Sequence, residues 1–198
     1  MSLQKSDYWI FGIIAVFAIV GLASAFVLSV EKLHLLQDPN ATLSCSLNVW
    51  INCASVMKTW QASLFGFPNS FIGLMAYPVV ITAAIVVLFG ARLPKIFWVL
   101  FQTGVTLGLL FAYWLFFQSV YVIQVLCPWC LLVTLSTTII FATLTRYNIL
   151  HGNLPLSDWL QRKFMKLVLK EYDIVLDAAW LVGMFILVFL QFRSYFAG

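Results

Sequence analysis

Val125-Leu126-Cys127-Pro128-Trp129-Cys130-Leu131-Leu132 sets two cysteines, separated by two residues, between the long apolar runs Ile96 to Ile123 and Leu131 to Leu144. The flanks put the pair at or near a membrane surface. The pair itself allows three readings: a redox centre at a helix start, half of a metal site, or a plain turn. The rest of the chain has to decide between them.

Of the 198 residues, 63% are hydrophobic and 9% charged, with mean hydropathy +1.01. Soluble domains carry about 25% charged residues, so lipid solvates most of this chain. Five apolar runs approach the ~20 residues that a spanning helix needs: Trp9 to Val30, Phe71 to Gly90, Ile96 to Gln118 or slightly beyond, Pro128 to Leu144, and Ile174 to Phe192. Hydrocarbon leaves open backbone groups unsatisfied, so these runs are expected to be helices in one small bundle. Met1 to Tyr8 reads as a short tail. Ala23-Ser24-Ala25 resembles a leader-peptide cleavage site, yet apolar residues continue to Val30, and the first run is read as a retained anchor.

With five spans, one side receives Lys5, Arg92, Lys95, Arg146, Arg162, Lys163, Lys166 and Lys170, and the other only Lys32, Lys58 and Arg193. The positive-inside rule then puts the N-terminus in the cytoplasm of a multi-pass plasma-membrane protein. Cys45, Cys53, Cys127 and Cys130 fall on the outer face, where disulfides persist. These anchors account for the net charge of +4 without a nucleic-acid partner.

The segment Glu31–Asn69 is long for a connection in a compact bundle, and Trp50, Met57, Phe65 and Phe67 make it apolar. Val56, Trp60 and Leu64 fall at helical spacing and predict a short amphipathic helix, either an interfacial anchor or a lid. Asn69 or Ser70 is placed to cap the second span, and Pro78 sits inside it. Gly104 and Gly108 have the spacing of a close helix-packing face. Tyr113 to Tyr121 is an interfacial belt or a pocket lining. Trp159 to Leu169 is a basic amphipathic stretch for the membrane surface. Asp177, four residues into the last run, is read as a structural acid near a helix start, and His34 and His151 as isolated loop histidines.

Closing Cys127–Cys130 would stabilise the fold by only ~2 kcal/mol, and Cys45–Cys53 by roughly 2.5 kcal/mol. As a staple the vicinal pair is poor. As a redox centre it is well placed, because Pro128 suits a first helical turn and brings Cys130 near the N-terminal N–H groups that favour a thiolate. Two pairs on one face also suit thiol–disulfide exchange, with a solvent-facing loop pair meeting a protein and the buried pair meeting a lipid-soluble acceptor. A zinc site is disfavoured by the wide Cys45/Cys53 spacing, so no metal is expected. A channel with incidental disulfides is disfavoured by spans poor in charge.

Cys45-x7-Cys53 in a first outer loop, Asn69-Ser70-Phe71-Ile72-Gly73, and Cys127-Pro-Trp-Cys130 opening a later span together resemble the vitamin K epoxide reductase family. The disulfide oxidase DsbB has similar parts in a different order, with its CxxC in the first outer loop. The resemblance covers about Trp9 to Tyr147, and Trp60-Gln61-Ala62-Ser63-Leu64-Phe65-Gly66-Phe67-Pro68-Asn69 looks closest to bacterial, actinobacterial-type members without a fused thioredoxin-like domain.

It implies a catalytic core over residues 1–150, a four-helix bundle around a quinone with the outer loop 31–69. Residues 151–198 would be a basic cytoplasmic connection and a fifth helix. By the family's pattern, Cys45 takes electrons from an exported thioredoxin-fold (DsbA-like) protein, Cys53 passes them to Cys127, and Cys130 faces the quinone. Thr59, Asn69, Phe71 and Thr134 are placed at the quinone, with Asn69 bonding its carbonyl. Menaquinone is favoured over ubiquinone or a phylloquinone type. Thr134 stands where vertebrate members have a Tyr, and Pro-Trp replaces their apolar pair. Both departures favour oxidation of partner thiols over the alternative of epoxide reduction. A membrane scaffold with structural disulfides is the non-enzymatic alternative.

Overall fold

The computed structural model describes residues 5–41, 43–46, 48 and 50–196; Met1–Gln4 of the expected tail lie outside them. The helices are α1 (Lys5–Gln37), α2 (Cys53–Met57), α3 (Ser70–Leu88), α4 (Lys95–Phe117), α5 (Pro128–Leu150), α6 (Asp158–Leu169) and α7 (Tyr172–Phe196). Among the described residues, α1, α3, α4, α5 and α7 are the five helices long and apolar enough to cross a membrane. The fold is all-helical, and α6 coincides with the basic amphipathic stretch.

α1 packs against α3 and α5, and α4 packs against α5. Their shared core joins Phe11, Ile14, Ala18 and Ala25 of α1 to Tyr77 and Val80 of α3, Trp98 of α4, and Ile140, Leu144 and Tyr147 of α5. At the end away from the cysteines, Phe11 and Trp98 each stand 4.8 Å from the Tyr147 ring centre. Polar pairs close that end. His151 is not isolated: its Nε2 lies 3.0 Å from Asp7, and its ring packs on Tyr147. His34 sits inside the last turn of α1, not in a loop. Arg146 pairs with Asp173 at 2.6 Å, which fixes the start of α7. Asp177 follows one turn later, half-buried and outside the cavity described below.

α1 overruns its apolar stretch by two turns. Glu31-Lys32-Leu33-His34-Leu35-Leu36-Gln37 consists largely of good helix formers, and Leu28 and Leu35 bury one face of the extension. Asp38-Pro39 ends it, since proline cannot continue the hydrogen-bond ladder, and the Asp38 carboxylate accepts the Asn40 N–H at 2.9 Å. The consequence is that Glu31 enters the loop layer on a rigid rod.

α1 and α3 approach closely at two glycines. A Cβ at Gly21 would overlap the Tyr77 phenol, and one at Gly73 would stand 2.8 Å from the Ala25 Cβ. Tyr77 has little freedom to yield, because its hydroxyl is bonded to Thr137 at 2.9 Å and to the Val133 carbonyl at 3.2 Å. Gly21→Ala is therefore expected to destabilise the bundle by about 1–3 kcal/mol through overpacking. Gly12→Ala, whose Cβ meets nothing within 4 Å, should be neutral or gain from helix propensity. Thermal unfolding of both variants in detergent checks the contrast; equal melting temperatures would count against the packing argument.

Gly104 and Gly108 do not form a helix-packing face. A Cβ at either meets nothing within 4 Å, and both glycines line a cavity. Small-residue spacing produces a smooth strip of helix, and here that strip borders space between α3 and α4.

Candidate active site

α5 begins at the vicinal cysteines. Cys127 is its N-cap, in extended conformation (φ −117°, ψ 109°), with Pro128 in the first turn. Sequence reasoning aimed the free N–H groups of that turn at Cys130. Instead the Cys130 N–H is donated to Cys127 Sγ at 3.3 Å. Cys127 is buried, and Cys130 is partly exposed towards the cavity.

In the loop, Cys45 and Cys53 form a disulfide, while Cys127 and Cys130 are free thiols. Cys53 opens α2, capped by Asn52, whose Oδ1 accepts the Ser55 N–H at 3.1 Å and a Ser46 hydroxyl at 3.0 Å. Cys53 Sγ lies 3.3 Å from Cys127 Sγ. The loop pair is not solvent-facing as expected: Cys45 is 5% and Cys53 0% exposed. Leu28, Leu35, Leu43 and Met57 enclose it.

Two backbone bonds hold the pairs together. Leu126 N–H donates to the Trp50 carbonyl at 2.8 Å, and Asn52 N–H to the Leu126 carbonyl at 3.1 Å, a short parallel bridge from Ile51 to Leu126. Leu126 reaches that position because α4 passes into a π-turn, Gln118–Ile123, that ends on Gln124 in the left-handed region (φ 57°). Such a conformation is uncommon for a residue with a side chain. The Ser119 hydroxyl ties the turn back to the Val125 carbonyl at 2.5 Å. Phe192 of α7 packs beneath, against Val120 and Leu126, so the fifth helix braces the bridge from outside the four-helix core.

Beside the sulfurs is a cavity of about 650 Å³, within the range of small-molecule sites. Leu100, Phe101, Val105, Phe111 and Leu115 supply much of its apolar wall, and Cys130, Thr134 and Thr137 line it from α5. The segment over its mouth is not one amphipathic helix. α2 stops at Met57, and a separate 3-10 turn spans Trp60–Ser63. The chain bends between them where the Thr59 hydroxyl bonds the Val56 carbonyl at 2.7 Å. Trp60 faces Trp114, and Phe65 faces Phe111, with ring centres 6.1 and 5.6 Å apart.

Asn69 lines the cavity but makes no side-chain cap for α3. Its Nδ2 donates to the Gln61 carbonyl at 2.6 Å, and its Oδ1 accepts the Leu64 N–H at 3.2 Å. The amide is thereby fixed with one N–H left over. Thr59 and Thr134 line the cavity too, the latter with its hydroxyl on the Cys130 carbonyl at 3.0 Å, whereas Phe71 lies outside the lining. The structure thus brings Cys53 to Cys127, with Cys130 beside it in the cavity wall, and puts Thr59, Asn69 and Thr134 around the adjoining space.

Sequence reasoning missed four contributors. Glu31 is 7% exposed, with Oε2 3.2 Å from Cys45 Sγ. Gln61, buried, donates to Gln118 at 3.3 Å across the cavity mouth. Tyr77 lines the wall. Asn52 alone had a legible signal, as an N-cap residue before Cys-Ala-Ser-Val.

The cavity fits a quinone by its own chemistry: an apolar enclosure for a ring and its tail, the Asn69 amide in its lining, and a thiol at the wall. The chain matches the sequence model of the vitamin K epoxide reductase family over residues 12–145. No curated protein matches it. That match spans most of the chain and takes in both cysteine pairs, Asn69 and most of each core helix, so the chain belongs to the vitamin K epoxide reductase family, a family of membrane thiol–disulfide and quinone oxidoreductases.

Proposed function

We propose that the protein oxidises the dithiol of an exported, DsbA-like thioredoxin-fold protein and passes the electron pair through its two cysteine pairs to a membrane quinone, thereby supporting disulfide formation outside the cell. The observation that carries this reading is the line from Cys53 to Cys127 at 3.3 Å, with Cys130 next in the cavity wall. The excess of basic residues at the other end supports a cytoplasmic N-terminus and outward-facing cysteines. Residues 1–150 would form the catalytic core, and residues 151–198 its brace and cytoplasmic anchor.

A partner thiolate bonds to Cys45, the Cys45–Cys53 bond breaks, and Cys53 leaves as a thiolate. The second partner thiol then closes the partner's disulfide and frees Cys45. Cys53 attacks Cys127 of an oxidised Cys127–Cys130 pair and releases Cys130 as a thiolate at the cavity. Cys45 attacks Cys53, restores the loop disulfide and releases Cys127, leaving two electrons on the α5 pair. A quinone bound in the cavity supplies the two-electron acceptor. Asn69 orients its carbonyl, and the apolar wall excludes water. Because Cys45 is buried, the first attack requires its loop to part from α1.

Purified protein, given a reduced thioredoxin-fold dithiol protein and menaquinone in detergent, is expected to reduce the quinone with one disulfide formed per quinol. Ubiquinone and a phylloquinone type tested in parallel rank the acceptors. No quinol with any of them would end this reading. Turnover of vitamin K epoxide faster than quinone would replace it with the epoxide reductase reading.

A further inference from the structure

Glu31 has no part in the relay just described, yet it is the only carboxylate that any described cysteine sulfur touches. It is a buried acid on the rigid extension of α1, and among the described residues the ion pairs are Arg146–Asp173 and His151–Asp7, remote from it. Oε1 accepts the Ser44 N–H at 3.0 Å and also the Ser44 hydroxyl. Oε2 is left to Cys45 Sγ at 3.2 Å. A disulfide sulfur has no hydrogen to donate, so a hydrogen bond across that contact exists only with the proton on Glu31 or, once the disulfide opens, on Cys45. That is the arrangement of a group and the one proton it exchanges.

We propose that Glu31 is a catalytic acid–base residue that gives a proton to Cys45 as its sulfur leaves and takes it back when the loop disulfide closes. The proposal rests on Cys45 as the entry point. When the second thiol of the dithiol substrate attacks its own sulfur in the mixed disulfide, the bond to Cys45 breaks. The electron pair stays on Cys45, which takes the Glu31 proton, and the substrate has lost two electrons to the loop pair. Without that proton a thiolate would form against a buried carboxylate, and like charges at such range repel strongly. On re-closure, Cys45 returns the proton to Glu31 as its sulfur attacks Cys53 in the Cys53–Cys127 bond and Cys127 leaves. A positioned proton donor of this kind is worth about a hundredfold or more in rate.

Other titratable groups around Glu31 come from three directions. Cys53 of α2 is in the disulfide, and Cys127 and Cys130 stand on α5. On α1 itself, Lys32 donates to the Met57 carbonyl at 2.6 Å, and His34 lies in the last turn. Lys58, after α2, donates to the Pro39 carbonyl at 2.7 Å. Cys127→Ala/Cys130→Ala protein therefore isolates the loop disulfide and removes the α5 thiols from the titration. It needs no quinone, so the outcome is separate from the fate of the proposed function.

The test uses that full-length double variant in detergent with dithiothreitol as the probe. Whichever sulfur the probe attacks first, Cys45 must leave or be protonated once per disulfide opened. The rate, corrected for the thiolate fraction of the probe, is expected to carry one ionisation, falling as pH rises. Adding Glu31→Gln should lower the rate about a hundredfold and abolish that ionisation. Ser44→Ala loosens the loop but keeps the carboxyl, so it should retain the ionisation at a somewhat lower rate. The proposal is overturned if Glu31→Gln reacts at the parent rate, if it is slowed with the parent's pH profile intact, or if Ser44→Ala loses the ionisation.

Discussion

Cys130→Ala is expected to reduce quinone turnover to the uncatalysed background and to leave Cys53 and Cys127 covalently joined. Cys127 is a free thiol 3.3 Å from Cys53, which is already in a disulfide with Cys45. Attack by Cys127 on Cys53 needs no rearrangement of the two sulfurs; the Cys53–Cys127 bond forms and Cys45 leaves. In the proposed relay Cys130 resolves that bond by attacking Cys127, which closes Cys127–Cys130 and frees Cys53, since both cysteines stand at the start of α5. With Cys130 removed, the return of Cys45 is the one remaining exit. Non-reducing proteolytic mass mapping should find the peptide pair containing Cys53 and Cys127. The fold should survive, because the side chain lost is small and partly exposed. A Cys45–Cys127 crosslink in its place would contradict the order of the relay.

The second large effect is at Asn69. Its amide joins the 3-10 turn to the start of α3 by bonds to the Gln61 carbonyl and the Leu64 N–H, and one N–H is left over, which the proposed function gives to a quinone carbonyl. Asn69→Ala loses both bonds and the remaining N–H. The two internal bonds contribute ~1 kcal/mol each, so the cavity roof should loosen. Losing a carbonyl bond worth about 1.4 kcal/mol would raise the KM for quinone about tenfold. Asn69→Asp keeps the acceptor for the Leu64 N–H and loses both N–H groups, the one on the Gln61 carbonyl and the one left over. Steady-state kinetics should show both variants with raised quinone KM and an unchanged rate of loop-disulfide reduction. A normal KM in Asn69→Asp would confine this residue to holding the roof.

The readable parts of this molecule were those written in local pattern. Five apolar runs gave five helices, because hydrocarbon admits few other ways to satisfy a backbone. Cys127-Pro128 marked a helix start because proline tolerates that position. The errors came where one pattern serves two environments. Gly104 and Gly108 make a smooth strip that suits a neighbouring helix or an empty space equally, and the strip itself does not choose. Val56, Trp60 and Leu64 repeat at helical spacing, but the Thr59 hydroxyl bends the chain between them. Asn69 had the composition of a cap, and its amide turned to the preceding turn. The Ile51–Leu126 bridge was invisible, since it joins residues far apart in sequence through backbone atoms that no side-chain pattern records. Glu31 was hidden for a related reason: it looked like the end of a span, and only the continuation of α1 carries it to Cys45.

That same bridge has a kinetic consequence. Two sulfurs fastened 3.3 Å apart by the scaffold are already within attacking distance, and groups held in that way react as though one were present at about 10⁵ M or more. No free thiol in the surrounding medium reaches such a level, so small thiols compete poorly for Cys53 and the internal handover is insulated from the redox poise outside. In the proposed relay the slow steps then lie at the two ends, in the opening that would admit a partner to Cys45 and in the exchange of quinone and quinol with the bilayer. Turnover should accordingly rise with partner and quinone concentration and be insensitive to added glutathione.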